Sequence, residues 1–316
     1  MDELIWTWQS HQVSYFRVES QTCDVNGLPP SGRAVLCIHG FGASKGHWRH
    51  NLQALSTGST VYAIDLLGFG ASSKPPSRLA DEPKEPQSVR YCFDLWGQQI
   101  VDFCSEVIGA GSHTQLQLIG NSIGGVVALN AARMLEGKGA GAAQVVLIDC
   151  AERELDLKRL HEKPPTARWS RPILMALVRQ RWLIANLFRF LARPSVVKAV
   201  LQQAYPTGRN ADDELIEILL RPSRDPGATE SFRGFVNLFN DWLAPQLLQE
   251  LKTPVRMLWG GADPWEPISE AERWLSSFDC IQELQILQGL GHCPHDEDPD
   301  RANPILQHWI DLGWRY

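Results

Sequence analysis

The sequence has no long uninterrupted apolar run, no paired-cysteine motif and no excess of positive charge, and each absence excludes a class of protein. Its richest apolar stretch, 173–192, is broken by Arg179, Gln180, Arg181, Asn186 and Arg189, which argues against a membrane-spanning helix. The seven cysteines (Cys23, Cys37, Cys92, Cys104, Cys150, Cys280 and Cys293) are odd in number and irregularly spaced, with no CxxC pair. They read as reduced thiols of a cytosol-like compartment, mostly core fillers, rather than as a disulfide framework. A net charge of −6 gives no basic footprint for nucleic acid. The N-terminus, MDELIWTWQS, carries two acids and lacks the apolar core of a signal or transit peptide. No metal-ligand pattern stands out: His292 and His295 are three residues apart in a proline-containing loop, without a distant partner cluster. Nothing in the sequence asks for a cofactor.

What is present points to a soluble globular chain, 44% hydrophobic and 21% charged. Its 316 residues suit one large α/β domain carrying an insertion. Short apolar runs at 34–38, 61–64, 116–119, 145–148, 255–259 and 282–287 each end in a turn signal. Most are continuous rather than alternating, as expected for parallel strands buried on both faces. Helical stripes lie between several of them: Leu95, Trp96, Ile100, Phe103, Cys104, Val107 and Ile108 share one face, and 123–135 form another. The order predicts a mostly parallel, doubly wound α/β sheet. The proline-rich, charged stretch 72–90 reads as a loop. From 152 to 244 no strand pattern appears, so this segment is expected to be a helical cap inserted between core strands, with 1–151 and 245–316 forming the core. Twelve tryptophans suit large apolar pockets, although core packing also uses them.

Four glycine- or strand-end motifs carry the chemistry. GNSIGG at 120–125 follows a strand and opens a helix, the strand–turn–helix setting of a nucleophile elbow, with Ser122 at its tip. Gly120 and Gly124 are the small neighbours that let strand and helix approach. HGFGAS at 39–44 follows another strand. Acyl transfer needs two N–H donors for its oxyanion, and these are expected from the backbones of Phe41 and Ile123. His39 is read as orienting the loop. WGGADPWEPI places Asp263 at a strand end, to orient a histidine. GLGHCPHDEDP places His292 after the last strand, as general base. Asp149, at the end of the preceding strand, is the rival acid. His295 is the rival base, and its expected role is to pair with Asp296 or Glu297 and pin the loop.

The order Ser122, Asp263, His292 belongs to the α/β-hydrolase fold, and the chain resembles that superfamily along nearly its full length. Within it, the chain looks most like the pheophytinase and chlorophyll dephytylase group of plants and cyanobacteria. The carrying residues are FDLWGQQIVDFCSEVIG at 93–109, GNSIGG at 120–125, DPWEP at 263–267 and GHCPHDE with the following Pro299. The resemblance implies a serine hydrolase acting on the phytyl ester of a chlorophyll-type pigment, an amphiphilic small molecule. It leaves open whether that pigment is chlorophyll or pheophytin. The missing transit peptide suits either a bacterial member, with cyanobacteria the leading source, or a trimmed chain. Serine-triad C–C hydrolases and cofactor-free haloperoxidases share the constellation, as do receptors built on this fold. Dehalogenases and epoxide hydrolases with an aspartate nucleophile do not. In the expected cap, 168–198 carries seven basic residues and no acid. Trp182, Leu183 and Leu187 in this segment are the expected substrate contacts. Its basic, apolar character also predicts peripheral contact with an anionic membrane, which would put the protein in the cytoplasm at the thylakoid surface.

Overall fold

A computed structural model describes residues 2–21, 32–110, 114–154 and 156–314. Its centre is one eight-stranded sheet: β1 (Asp2–Trp8), β2 (His11–Val18), β3 (Arg33–Ile38), β4 (Thr60–Ile64), β5 (Gln115–Asn121), β6 (Gln144–Ile148), β7 (Val255–Gly260) and β8 (Ile281–Leu287). The spatial order is β1-β2-β4-β3-β5-β6-β7-β8. Strands β3 to β8 run parallel, while β1 pairs β2, and β2 pairs β4, antiparallel. All six strands expected from the sequence are present. The hairpin β1–β2 was not expected. Its two turn residues, Gln9 (φ 47°) and Ser10 (φ 68°), adopt left-handed backbone without the Gly, Asn or Asp that normally announces such a turn.

Alternation along the strands divides the core in two. Leu36 and Ile38 of β3, Tyr62 and Ile64 of β4, and Val145 and Leu147 of β6 join the larger cluster with Trp96 and Val126. Their neighbours Val35, Cys37, Val61, Ala63, Val146 and Ile148 join the second, with Trp48 and Trp309. Around the sheet stand α1 (Leu52–Leu55), α2 (Phe93–Phe103) and α3 (Ile123–Gly137). Past the end of α2 a π-helical turn (Cys104–Ile108) continues the apolar stripe.

Between β6 and β7 the described chain forms no strand. It runs through α4 (Pro165–Arg179), α5 (Arg181–Leu191), α6 (Pro194–Ala204), α7 (Asp213–Leu220), α8 (Ala228–Val236) and α9 (Ala244–Glu250). After β7 come α10 (Ile268–Ser277), α11 (Pro294–Glu297) and α12 (Pro299–Gly313). No helix among the described residues is long and apolar enough to cross a membrane. Six cysteines are free thiols, four of them buried; Cys23 lies outside the described residues.

Candidate active site

Four strand ends converge on one cleft of about 1050 Å³. Its lining includes Phe41 after β3, Ser122 and Ile123 after β5, Asp263 after β7 and His292 after β8. Ser122 sits at φ 55°, ψ −124°, a conformation that costs a non-glycine residue of order 1–3 kcal/mol and persists only where surrounding packing enforces it. The packing does so. A Cβ on Gly120 would lie 2.2 Å from the Gly124 carbonyl oxygen, and one on Gly124 would lie 2.4 Å from that of Ile38. Only hydrogen at both positions lets α3 start against the sheet. The Ser122 N–H donates to the Ile148 oxygen at 2.9 Å, fixing the turn to β6. Ile123, the first residue of α3, lines the cleft, so the helix N-terminus, whose dipole favours negative charge, borders it.

Asp263 and His292 are bonded, Nδ1 to Oδ2, at 2.7 Å. The other oxygen of Asp263 accepts the N–H groups of Trp265 (2.8 Å) and Glu266 (3.2 Å). Burial works to raise the Asp263 carboxyl, but the bond to His292, the charge of that ring and the Trp265 N–H outweigh it and hold the group below its ordinary value. The indole of Trp265 meets the His292 ring edge to face at 4.9 Å. Behind the ring, the His292 N–H donates to the Ala204 oxygen at the end of α6 at 3.0 Å. Its carbonyl accepts from Asn121 Nδ2 at 3.1 Å, and the same amide also reaches the Ile148 oxygen. Asn121 thus ties the nucleophile strand to the histidine loop. The G-x-S-x-G pattern accepts any residue at that position, so the sequence carried no signal for it.

Asp149, the rival acid, lies against Asp263. It is fully buried, at φ 41°, and its Oδ1 accepts from the Gly260 N–H at 2.8 Å. Its Oδ2 has no N–H or O–H partner among the described residues. Asp149, Asp263 and His292 each contribute one atom to a cluster spanning no more than 4.8 Å. Burial and the charge of Asp263 drive the Asp149 carboxyl well above its usual value.

The rival base has a different part from the one expected. His295 is fully buried, and neither ring nitrogen finds a hydrogen-bond partner among the described residues. It packs on Trp48 at 4.5 Å and His47 at 4.9 Å, not on Asp296 or Glu297, and burial holds it well below its usual pKa. The acids pin the loop themselves. Asp296 accepts from Arg49 and Tyr205, and Glu297 from Gly291 and Thr207. His39 lies between the Gly40 oxygen (2.8 Å) and the Leu66 N–H (3.1 Å), holding the loop that carries Phe41.

The expected substrate contacts on α5 lie elsewhere. Trp182 is 67% and Leu187 40% exposed, and neither they nor Leu183 line the cleft. Apolar residues occur on both faces of α5, so periodicity could not tell inside from outside; Ile184 is the buried one. The helical wall of the cleft comes instead from Leu174 and Val178 of α4, Val200 and Leu201 of α6, and Phe235 of α8. The Phe41 ring stacks on Phe235 with centroids 3.8 Å apart.

Comparison with known proteins agrees with this geometry. A model described as the Alpha/beta hydrolase family matches residues 35–304. The chain is similar to a chloroplastic pheophytinase of Arabidopsis thaliana, 26% identical over 92% of this chain, and spans 63% of that protein's length. Among solved structures it is similar to a serine hydrolase involved in carbazole degradation (TM-score 0.69, 19% identity, 98% of this chain and 99% of that one). It is also similar to a membrane phospholipase A from a bacterium (TM-score 0.67, 23% identity, 100% and 87%).

Proposed function

This chain belongs to the alpha/beta hydrolase family, and from that premise we propose that it is a serine carboxylic-ester hydrolase that releases phytol from chlorophyll or pheophytin. The observation that carries the reading is the meeting, in one cleft, of a serine on a strained elbow with a histidine bonded to a carboxylate at 2.7 Å.

The chemistry is acyl transfer in two steps. His292 takes the Ser122 proton as Oγ attacks the ester carbonyl, and the N–H groups of Phe41 and Ile123 receive the oxyanion. The His292 imidazolium, stabilised by Asp263, protonates the departing alcohol. Water, deprotonated by the now neutral His292, then releases the acid and restores Ser122. The steps use side chains, backbone and water alone.

Likeness to the plant pheophytinase favours a pigment ester over other substrates. Residues 152–244 act as the cap in this reading, and 1–151 with 245–316 as the core. Trp169, Ile173 and Trp182 on the outer side of α4 and α5 stand exposed among the basic residues of 168–198. They support peripheral docking on an anionic, pigment-bearing membrane, reached from the cytoplasm. The test is to incubate the protein separately with chlorophyll, pheophytin and simple acyl esters, and to identify products by chromatography and mass. Repeated turnover of simple esters with both pigments untouched would leave an esterase of other specificity. A single slow turnover with retained ligand would point to a receptor.

A further inference from the structure

A second chamber, about 370 Å³, adjoins the cleft that holds Ser122 and shares Phe41, Ala43, Val200, Leu201 and Leu219 with it. Its remaining wall comes from α5 to α8 and the loop after β4, chiefly Phe188, Leu191, Val196, Leu220 and Phe232. Only three of its lining side chains carry nitrogen or oxygen, and each is already engaged within the protein. Lys74 Nζ donates to the Gly70 oxygen (2.6 Å), the Ser72 oxygen (3.2 Å) and Asp225 Oδ2 (2.8 Å). Ser223 Oγ donates to the Leu220 oxygen at 2.7 Å. Ser231 Oγ lies 3.2 Å from the Tyr91 hydroxyl and 3.4 Å from the Gly227 oxygen. A polar ligand here would lose its water and find no partner, at a cost of several kcal/mol per group. A hydrocarbon loses only contact with water, which favours binding.

The adjoining cleft has the opposite character. Besides the reacting residues it is lined by Arg153, Glu154, Asp156 and Glu266. Phe41 belongs to both spaces, so the apolar chamber opens within one residue of an oxyanion donor.

We infer that this chamber is a hydrocarbon-chain subsite, and that the substrate is an ester with one long, flexible aliphatic arm lodged there while its polar part occupies the cleft. The inference rests on the ester-hydrolase reading and deepens it: it names a bipartite substrate of polar head and long chain. Such an arm passes the Phe41 ring and lies between α5, α6, α7 and α8. Each methylene that enters raises kcat/KM by about three- to fourfold until the chamber is full.

Two ester series test it, one lengthened on the acyl side (p-nitrophenyl butyrate to palmitate) and one on the alcohol side (ethyl to phytyl acetate). Wild-type protein is expected to prefer the long member of at least one series. Val196→Trp and Ala192→Trp, each filling the chamber from a half-buried position, are expected to cut that long-to-short preference at least tenfold, with circular dichroism checking the fold. An unchanged preference in folded variants overturns the subsite. A preference that the variants erase, in a protein that leaves both pigments intact, upholds the subsite and removes the dephytylation proposal. Pigment cleavage with an unchanged preference does the reverse. Independently of any variant, a hexadecanol bearing a terminal diazirine, photolysed with the wild-type protein, should label peptides within 186–201 and 219–232. Labelling confined to other peptides overturns the inference.

Discussion

The two walls of the cleft are built on different principles. The sheet-side wall holds Ser122, Asp263 and His292 at the ends of three parallel strands, where backbone contacts leave no room for a methyl group on Gly120 or Gly124. Asp263 is held by the N–H groups of Trp265 and Glu266, and the His292 loop by the amide of Asn121. The helical wall, from α4, α6 and α8, meets the cleft with apolar side chains, and the exposed side of the same segment mixes basic residues with bulky apolar ones, Trp169 being 84% exposed. A position enforced by close-packed backbone tolerates almost no displacement, and catalysis falls steeply with displacement. A wall made of side chains packed on other side chains can be repacked at small cost. In the proposed reading, the chemistry sits on the wall fixed by backbone, and the choice of substrate on the wall built from side chains.

Breaking the fixed wall should have the largest effects. Ser122→Ala and His292→Ala are each expected to lower kcat on p-nitrophenyl butyrate by about 10⁶-fold, with unchanged circular dichroism. His295→Ala, which removes a packed ring and no proton acceptor of the cleft, should instead lower the melting temperature and leave most of the turnover. Reversal of that pair would mean the base has been misassigned. Asp263→Asn is expected to cost about 10³- to 10⁴-fold, since an amide leaves His292 in the wrong tautomer. Asp149→Asn places a hydrogen-bond donor facing Asp263 and should cost under tenfold; equal losses would make the two acids one functional unit.

Breaking the adaptable wall should act on choice instead. Trp182→Glu or Leu187→Glu should depress turnover of pigment in micelles about five- to tenfold more than turnover of a short soluble ester, and should weaken the salt-sensitive binding of the protein to anionic liposomes. Equal losses on both substrates, together with no liposome binding at low salt, leave these residues with a packing role alone.

The smallest effect concerns Glu266, on the cleft floor beside Asp263. Burial pushes its carboxyl up to about 9. A folded value above the unfolded one, near 4.5, means that the folded protein binds the extra proton. The stability this group contributes is complete below pH 4.5 and is lost as pH rises through 9. Glu266→Gln should therefore flatten the fall in melting temperature between pH 6 and pH 9 by about 2–4 °C, read by differential scanning calorimetry. An identical fall in both proteins would mean that the carboxyl titrates near its ordinary value.

The same division decides what could be read from the sequence. Each reacting residue follows a short, mostly apolar strand, interrupted by Gln117 before Ser122, by Arg256 before Asp263 and by several polar residues before His292; each stands in a short glycine- or proline-marked turn, and it was that turn that made position and chemistry legible together. The tie made by Asn121 and the close pairing of Asp149 with Asp263 were not, because both depend on what lies across the sheet rather than along the chain. His295 misled because a histidine beside two acids suggests pairing, whereas burial against Trp48 favours a neutral ring. On α5, Trp182 and Phe190 share the exposed side with Asn186 and Arg189, so large apolar residues there read as inward contacts, whereas Ile184 is the buried one and Phe188 packs on Phe232 of α8. The hairpin β1–β2 escaped for want of a glycine in its turn.

The bond from the His292 N–H to the Ala204 oxygen is one of several between the histidine loop and the end of α6; the Tyr205 hydroxyl on Asp296 and the Thr207 N–H on Glu297 are others. The loop that carries the imidazole is thus moored to the helical segment as well as to the sheet, so a substitution that unsettles the end of α6 reaches the proposed base as directly as it reaches the pocket wall.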